Sequence, residues 1–189
     1  MIRSQDRSGW FGASDTAQIM GRWDTKTFAR FWAVKQGLVR GGIHTDAMLA
    51  GTHYEGRILD ALGIKRRDRQ IRVRPLLLRV NLDGEDARTI HEVKTHRSAA
   101  FCVSRQYWMQ AQVEMYAAKK ALVIDAYRVT DEEYRNFYIH IDPSRLSRHP
   151  VAYDARWIDE EYLPRLEFLA ACLREGIYPY DCAGRDYGV

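Results

Sequence analysis

Asp83, Glu92 and Lys94 are the residues whose types and spacing could do chemistry. They stand in two short segments, Asn81-Leu82-Asp83-Gly84 and His91-Glu92-Val93-Lys94. In a strand, residues i and i+2 project to the same face, so Glu92 and Lys94 point together while Val93 turns into the core. Asp83, just before an Asp-Gly turn signal, can come beside them at the strand end. Two carboxylates and one ammonium then converge, with negative charge in excess. A hard divalent cation such as Mg²⁺ balances that excess with oxygen ligands, and the expected set is Asp83, Glu92, the Val93 carbonyl and water. The chemistry this would serve is phosphodiester hydrolysis. The cation polarises a phosphoryl oxygen and acidifies a bound water, while Lys94 orients or helps to deprotonate that water and screens transition-state charge. The same residues also have a plainer reading, a Glu92–Lys94 salt bridge beside an ordinary turn. Apolar strand residues flank both segments, and charges in such a context are costly unless paired or metal-bound, which favours the cation.

The elements that must position these groups follow from periodicity. Ser14-Asp15 caps a short apolar-periodic run, Ala17, Ile19 and Met20, that stops at Gly21. Phe28, Phe31, Trp32 and Lys35 continue with helical spacing up to Gly37. Thr45-Asp46 caps a longer helix through Met48, Leu49, Tyr54, Ile58, Leu59 and Leu62, with Gly63 beyond its end. Residues 1–64 thus form a helical part. The character changes at Gln70. Ile71-Arg72-Val73 alternates, Leu76-Leu77-Leu78 is a continuous apolar run, and Asp83-Gly84 marks a turn before Thr89 to Lys94, so a hairpin or meander is predicted. Ser104 opens a helix carrying Trp108, Met109, Ala111, Gln112, Met115 and Tyr116, and a buried-type strand follows from Ala121 to Val129. Phe137 to Ile141 alternates as a further strand, which closes a core of sheet and helices over residues 65–142. Trp157 to Leu173 is amphipathic and predicts a C-terminal helix within residues 156–175. The order implies an α/β (α+β) fold, a small mixed β-sheet flanked by helices, in one domain across residues 1–189.

Composition narrows the class. The chain of 189 residues is 46% hydrophobic and has no long polar tract, which excludes a disordered protein. The N-terminus lacks an apolar h-region, and no stretch approaches the ~18 apolar residues of a membrane helix, so a cytoplasmic protein with no membrane partner is expected. Cys102, Cys172 and Cys182 are odd in number and lack metal-site spacing, as reduced thiols do. Net charge is +4 but unevenly placed: Lys65 to Arg79 holds seven basic residues against one acid, and the chain from Val151 onward holds eight acids against four Arg. The basic block suits a polyanion such as DNA, and it would equally suit a solvated face.

The two opening segments resemble the divided motif of the PD-(D/E)xK nuclease superfamily, with Leu82 where Pro usually stands. More narrowly, the chain resembles the phage lambda exonuclease and YqaJ-type viral recombinase family, in order from Arg7 to about Tyr127. Gly12-Ala13-Ser14-Asp15, with Ser14 seven residues after Arg7, is similar to the family's opening. The resemblance implies that Arg7 and Ser14 hold the 5′-phosphate of a DNA end, and a Ser at a helix N-terminus suits an anion, as it also suits a plain N-cap. Gly51-Thr52-His53-Tyr54-Glu55 resembles the helix whose Glu, here Glu55, reaches the metal site. Met48 falls where the family places an apolar wedge that separates the terminal base pair, and is also an ordinary core position. Tyr107-Trp108-Met109-Gln110-Ala111-Gln112 resembles the helix whose first Gln, here Gln110, contacts water at the metal. The strand Ala121 to Tyr127 is similar to a structural strand of the family.

The resemblance implies a restriction-endonuclease-like core and a Mg²⁺-dependent 5′ to 3′ exonuclease, with Mn²⁺ as substitute ion. Its substrate would be linear double-stranded DNA with 5′-phosphorylated ends. It further implies a homotrimeric ring, a single-strand annealing protein as partner, and a role in phage or prophage recombination in a bacterial host. Two alternatives remain at this point. One is a structure-specific or restriction-like endonuclease, against which Arg7 and Ser14 argue. The other is a DNA-binding or assembly subunit that does no chemistry, against which the full set of acids and Lys94 argues. His53, His91 and His96 lie near the site in sequence, without the spacing of a zinc site.

Overall fold

The structure, a computed structural model, describes residues 7–40, 46–136 and 139–179, with the side chains of residues 46–50 outside the description. Five strands form one sheet in the order β1 (Arg66–Val73), β2 (Leu78–Glu85), β3 (Thr89–His96), β4 (Ala121–Arg128) and β5 (Leu146–Val151). β3 and β4 run parallel, joined by α4 (Arg105–Ala118), and the other neighbours are antiparallel. A parallel pair needs a crossover, and α4 provides it with Ser104 as its cap, the hydroxyl accepting from the Tyr107 N–H at 3.2 Å.

Two apolar clusters form around the sheet. One gathers Ile90, Leu122 and Ile124 with Leu78, Val80 and Leu82 of β2, and with residues of α4, α2 (Lys26–Lys35) and α7 (Leu163–Glu175). In the other, Val93, Tyr127 and Val129 pack under Tyr54, Ile58 and Leu59 of α3 (Asp46–Ala61). The alternation along β3 therefore sends Val93 to α3 and leaves Ile90, Glu92 and Lys94 facing α4. A 3₁₀ turn, Ala13–Asp15, and the four-residue α1, Thr16–Ile19, stand on the α4 side. After β4 come α5, Asp131–Arg135, and the closing helical stretch, which runs from α6 (Ala155–Trp157) through a π-helical turn, Ile158–Tyr162, into α7. Among the described residues no helix is long and apolar enough to cross a membrane.

Two expectations are corrected. Asp83 and Gly84 are not a turn: both lie inside β2, Gly84 is paired with Arg67 and His91, and the chain reverses at residues 86–88. Gly84 is there because α3 presses on it, since a Cβ would stand 2.7 Å from Leu59 Cδ2 and 2.9 Å from Ile64 Cγ2. Nor is the last strand at Phe137 to Ile141. Residues 137–138 lie outside the described residues, 139–141 are not in a strand, and β5 forms at Leu146–Val151. β5 is an edge strand, where Pro150 costs no ladder bond, and none of its residues is fully buried, which blurs its alternation.

Candidate active site

The site opens where β2 and β3 part. Their backbone register holds at Glu85↔Ile90 and Gly84↔His91, and at the next step a side chain takes over from the ladder: the Val93 N–H donates to Asp83 Oδ2 at 2.9 Å. Asp83 is thereby anchored between the strands. Glu92 and Lys94 meet α4 on the other side. Lys94 Nζ donates to Glu92 Oε1 at 2.6 Å and to Gln110 Oε1 at 3.4 Å, and lies 5.0 Å from the Tyr107 ring centre. Gln110 Nε2 donates to the same Glu92 oxygen at 2.7 Å and to Glu114 Oε1 at 2.8 Å. Tyr107, Gln110 and Glu114 share one face of α4 by their spacing of three and four residues.

Negative charge dominates the cluster. Burial first, then the charges of Glu92 and Glu55, pushes the Asp83 carboxyl well above its ordinary value. Burial, with Glu92 and Asp83 behind it, does the same to Glu114, and burial with Glu92 and Asp68 raises Glu55. Burial works against the Lys94 charge, but Glu92 and its neighbours outweigh it and hold Lys94 as an ammonium. Buried atoms Glu92 Oε2 and Glu114 Oε2 have no hydrogen-bond partner, a costly state for carboxylate oxygens.

Hard oxygens, surplus negative charge and orphaned carboxylate atoms fit a divalent cation. Among the described residues no three carboxylate, imidazole or thiolate groups close into a ready-made cage. Mg²⁺ does not ask for one, because it keeps waters and takes one or two carboxylates together with substrate phosphate oxygens.

Arg7 and Ser14 share a cavity with this cluster. The cavity, about 190 Å³, is lined by Arg7, Ser14 and Arg79 as well as by Asp83, Gln110 and Glu114. On β2, Arg79, Asn81 and Asp83 alternate onto the same face, and at ~3.3 Å per residue Arg79 stands ~13 Å along the strand from Asp83. One part of the cavity is therefore cationic and another carboxylate-lined.

The predicted site residues divide accordingly. Glu92, Lys94 and Gln110 come into direct contact, Asp83 is bonded to the Val93 N–H and with Glu55 is their electrostatic neighbour, and Arg7 and Ser14 line the connected cavity. Val93 contributes its N–H to Asp83. The Met48 side chain lies outside the described residues. Ser14 sits within the 3₁₀ turn rather than capping a helix; Asp15 is the capping group, its Oδ2 accepting the Gly12 N–H at 2.7 Å. His91 faces away, bonded through Nδ1 to Asp125 at 2.7 Å, and His96 packs on Phe101. The basic run is not one continuous face: Arg67 is bound back to the Ile64 and Gly56 carbonyls and Asp60, Arg69 pairs with Glu85, and Arg79 lines the cavity. Glu114, Lys35 and Arg79 were not among the candidates. Each carried a signal: Glu114 follows Gln110 by one helical turn, Lys35 interrupts an apolar stripe, and Arg79 precedes Asp83 by two strand periods.

No family model matches the sequence, and no curated protein matches it either. Solved structures do. An alkaline exonuclease (LHK-Exo) from Laribacter hongkongensis superposes with a TM-score of 0.67 at 16% identity, over 93% of each chain. A phage related exonuclease from Haemophilus somnus 129PT superposes with a TM-score of 0.60 at 13% identity, over 88% of this chain and 96% of that one. At these identities the likeness is one of fold. With Asp83, Glu92 and Lys94 on its inner strands, the chain has the fold of these exonucleases, as its resemblance to the lambda exonuclease and YqaJ-type family led us to expect.

Proposed function

We propose that this chain is a Mg²⁺-dependent deoxyribonuclease that degrades linear double-stranded DNA 5′ to 3′ from 5′-phosphorylated ends. The observation that carries the reading is the shared cavity. Arg7 and Ser14 line the same space as Asp83 and Gln110, so an anchored phosphate and a reacting phosphate can be held at once. An enzyme cutting internally has no use for such an anchor, which weighs against the endonuclease reading. The exonucleases of like fold support the nuclease class.

Asp83, Glu92 and Glu55 would hold the cation, with Mn²⁺ as its substitute. When bound, it would polarise the phosphoryl oxygen and lower the pKa of a water. Lys94, held as an ammonium, orients that water by donation and screens the charge that builds on the phosphate. Gln110 has both amide hydrogens engaged, on Glu92 and Glu114, which leaves its carbonyl oxygen to accept from Lys94 or from water. Proton removal is thereby assigned to the carboxylates, and Lys94 to positioning and charge. A homotrimeric ring around the duplex, a single-strand annealing partner and a part in phage-type recombination in the bacterial cytoplasm complete the proposal, all on the strength of the family resemblance.

The test uses linear duplex with 5′-phosphate or 5′-hydroxyl ends and closed circular duplex, each with Mg²⁺ or EDTA. Mg²⁺-dependent loss of the linear 5′-phosphate substrate alone is expected. Cutting of the circle would overturn the exonuclease reading, and intact substrates throughout would favour a DNA-binding module.

A further inference from the structure

The cationic part of the cavity holds more than Arg7. Arg79 and Lys35 line it too, and the fold ties both to the segment that carries Arg7 and Ser14. The Arg79 N–H donates to the Phe11 carbonyl at 2.7 Å, the Phe11 N–H to the Leu77 carbonyl at 2.8 Å, and the Gly9 N–H to the Lys35 carbonyl at 2.8 Å. Residues 9–11 are thus bound to β2 on one side and to α2 on the other. Lys35 engages its ammonium internally: Nζ donates to the Trp10 carbonyl at 2.9 Å and to Asp15 Oδ2 at 2.5 Å, and that same oxygen holds the Gly12 N–H. The Lys35–Asp15 pair therefore fixes the turn that presents Ser14. Arg7 and Arg79 are close enough to Lys35 that, after burial and against the pull of Asp15, their charges also weigh on its ammonium.

We infer that Arg79 is a specificity-determining residue, a second guanidinium that grips the terminal phosphate together with Arg7. The inference rests on the end-directed reading above. Guanidinium groups offer paired N–H donors to phosphate oxygens. A phosphomonoester carries close to two charges at neutral pH and presents three terminal oxygens, whereas an internal diester has one charge and two free oxygens. Two guanidinium groups on one phosphate select the first over the second.

The experiment measures equilibrium binding of the full chain to blunt duplexes with 5′-phosphate or 5′-hydroxyl ends, in EDTA so that nothing is cleaved. Wild type should prefer the phosphate. Arg79→Ala should reduce that preference by about 10- to 100-fold, the worth of a hydrogen bond to a charged group, while leaving the 5′-hydroxyl affinity nearly unchanged. Arg79→Lys should keep part of it, as a point charge without the fork. Thermal unfolding in parallel confirms that each variant is folded, and Arg79→Gln replaces the alanine variant if that one is not. A wild type that prefers the phosphate, with an Arg79→Ala variant that prefers it equally, overturns this inference alone. A wild type that binds both ends alike overturns the end-directed reading, and this inference with it.

Discussion

Two clusters of buried charge in this protein are built on opposite principles. Around Glu133, every acceptor is answered. Its carboxylate, 1% exposed, accepts from Arg145, from the Tyr127 hydroxyl at 2.5 Å and from the Thr130 N–H at 2.8 Å. Burial alone would raise its pKa, yet these donors bring it down to about 2. Around Glu92, four carboxyl groups face one ammonium, two oxygens have no partner, and the Asp83, Glu114 and Glu55 carboxyls are pushed upward. Burial of charge is common to both. Imbalance distinguishes the second, and imbalance is what calls for a cation and a substrate.

The largest effect expected from this difference is on catalysis. Lys94→Ala should slow cleavage by about 10²- to 10³-fold or more, the scale of losing a donor aimed at transition-state charge, while DNA binding stays largely intact. Cleavage at the wild-type rate would remove Lys94 from the site. The matching change in the balanced cluster should act on stability. Glu133→Gln breaks a buried pair and should cost about 3 kcal/mol in urea unfolding, with no change in cleavage rate well below the melting temperature. Its pH dependence has a definite sign. A carboxyl lowered from 4.5 to about 2 on folding contributes stability that is complete above pH 4.5 and is lost as pH falls toward 2. Wild type and Glu133→Gln should therefore converge in stability across that window. If they stay apart at its acid end, the ionised carboxylate is not what holds this cluster.

Much of this contrast could be read from the amino-acid order, and the parts that could not have physical reasons. Helices α2, α3, α4 and α7 and strands β3 and β4 bury one face each or lie centrally, so their periodicity is plain. β1 is an edge strand with Arg66, Asp68, Arg69 and Arg72 all exposed, so only its end, Ile71-Arg72-Val73, alternates and its first half carries no strand signal. Asp83, Glu92 and Lys94 were legible because strand period alone brings the last two together. Glu114 was not, since its spacing from Gln110 gives a shared helix face but says nothing of burial. Asp83-Gly84 carried the residue types of a turn, and tertiary packing overrode them. Gly84→Ala tests that account: a Cβ against Leu59 and Ile64 should destabilise by about 1–3 kcal/mol and, by prising β2 from α3, disturb the anchoring of Asp83 as well. A neutral substitution would show that packing against Leu59 and Ile64 is not what calls for glycine here.

The smallest effect is the most discriminating between the two clusters, because its sign differs. Asp83→Asn keeps an oxygen to accept the Val93 N–H and removes one of four crowded charges. In metal-free buffer the variant should be more stable than wild type by about 1 kcal/mol, a rise of about 2–4 °C in melting temperature for a chain of this size. Removing a carboxylate charge at Glu133 lowers stability, and removing one at Asp83 raises it. With Mg²⁺ the order should reverse: wild type gains stability by binding the ion, and Asp83→Asn, short of one ligand, gains much less. A variant that melts below wild type without Mg²⁺ and gains as much stability from Mg²⁺ would show that Asp83 belongs with the balanced kind of cluster, and the site would then have to be sought around Glu114 and Glu92 alone.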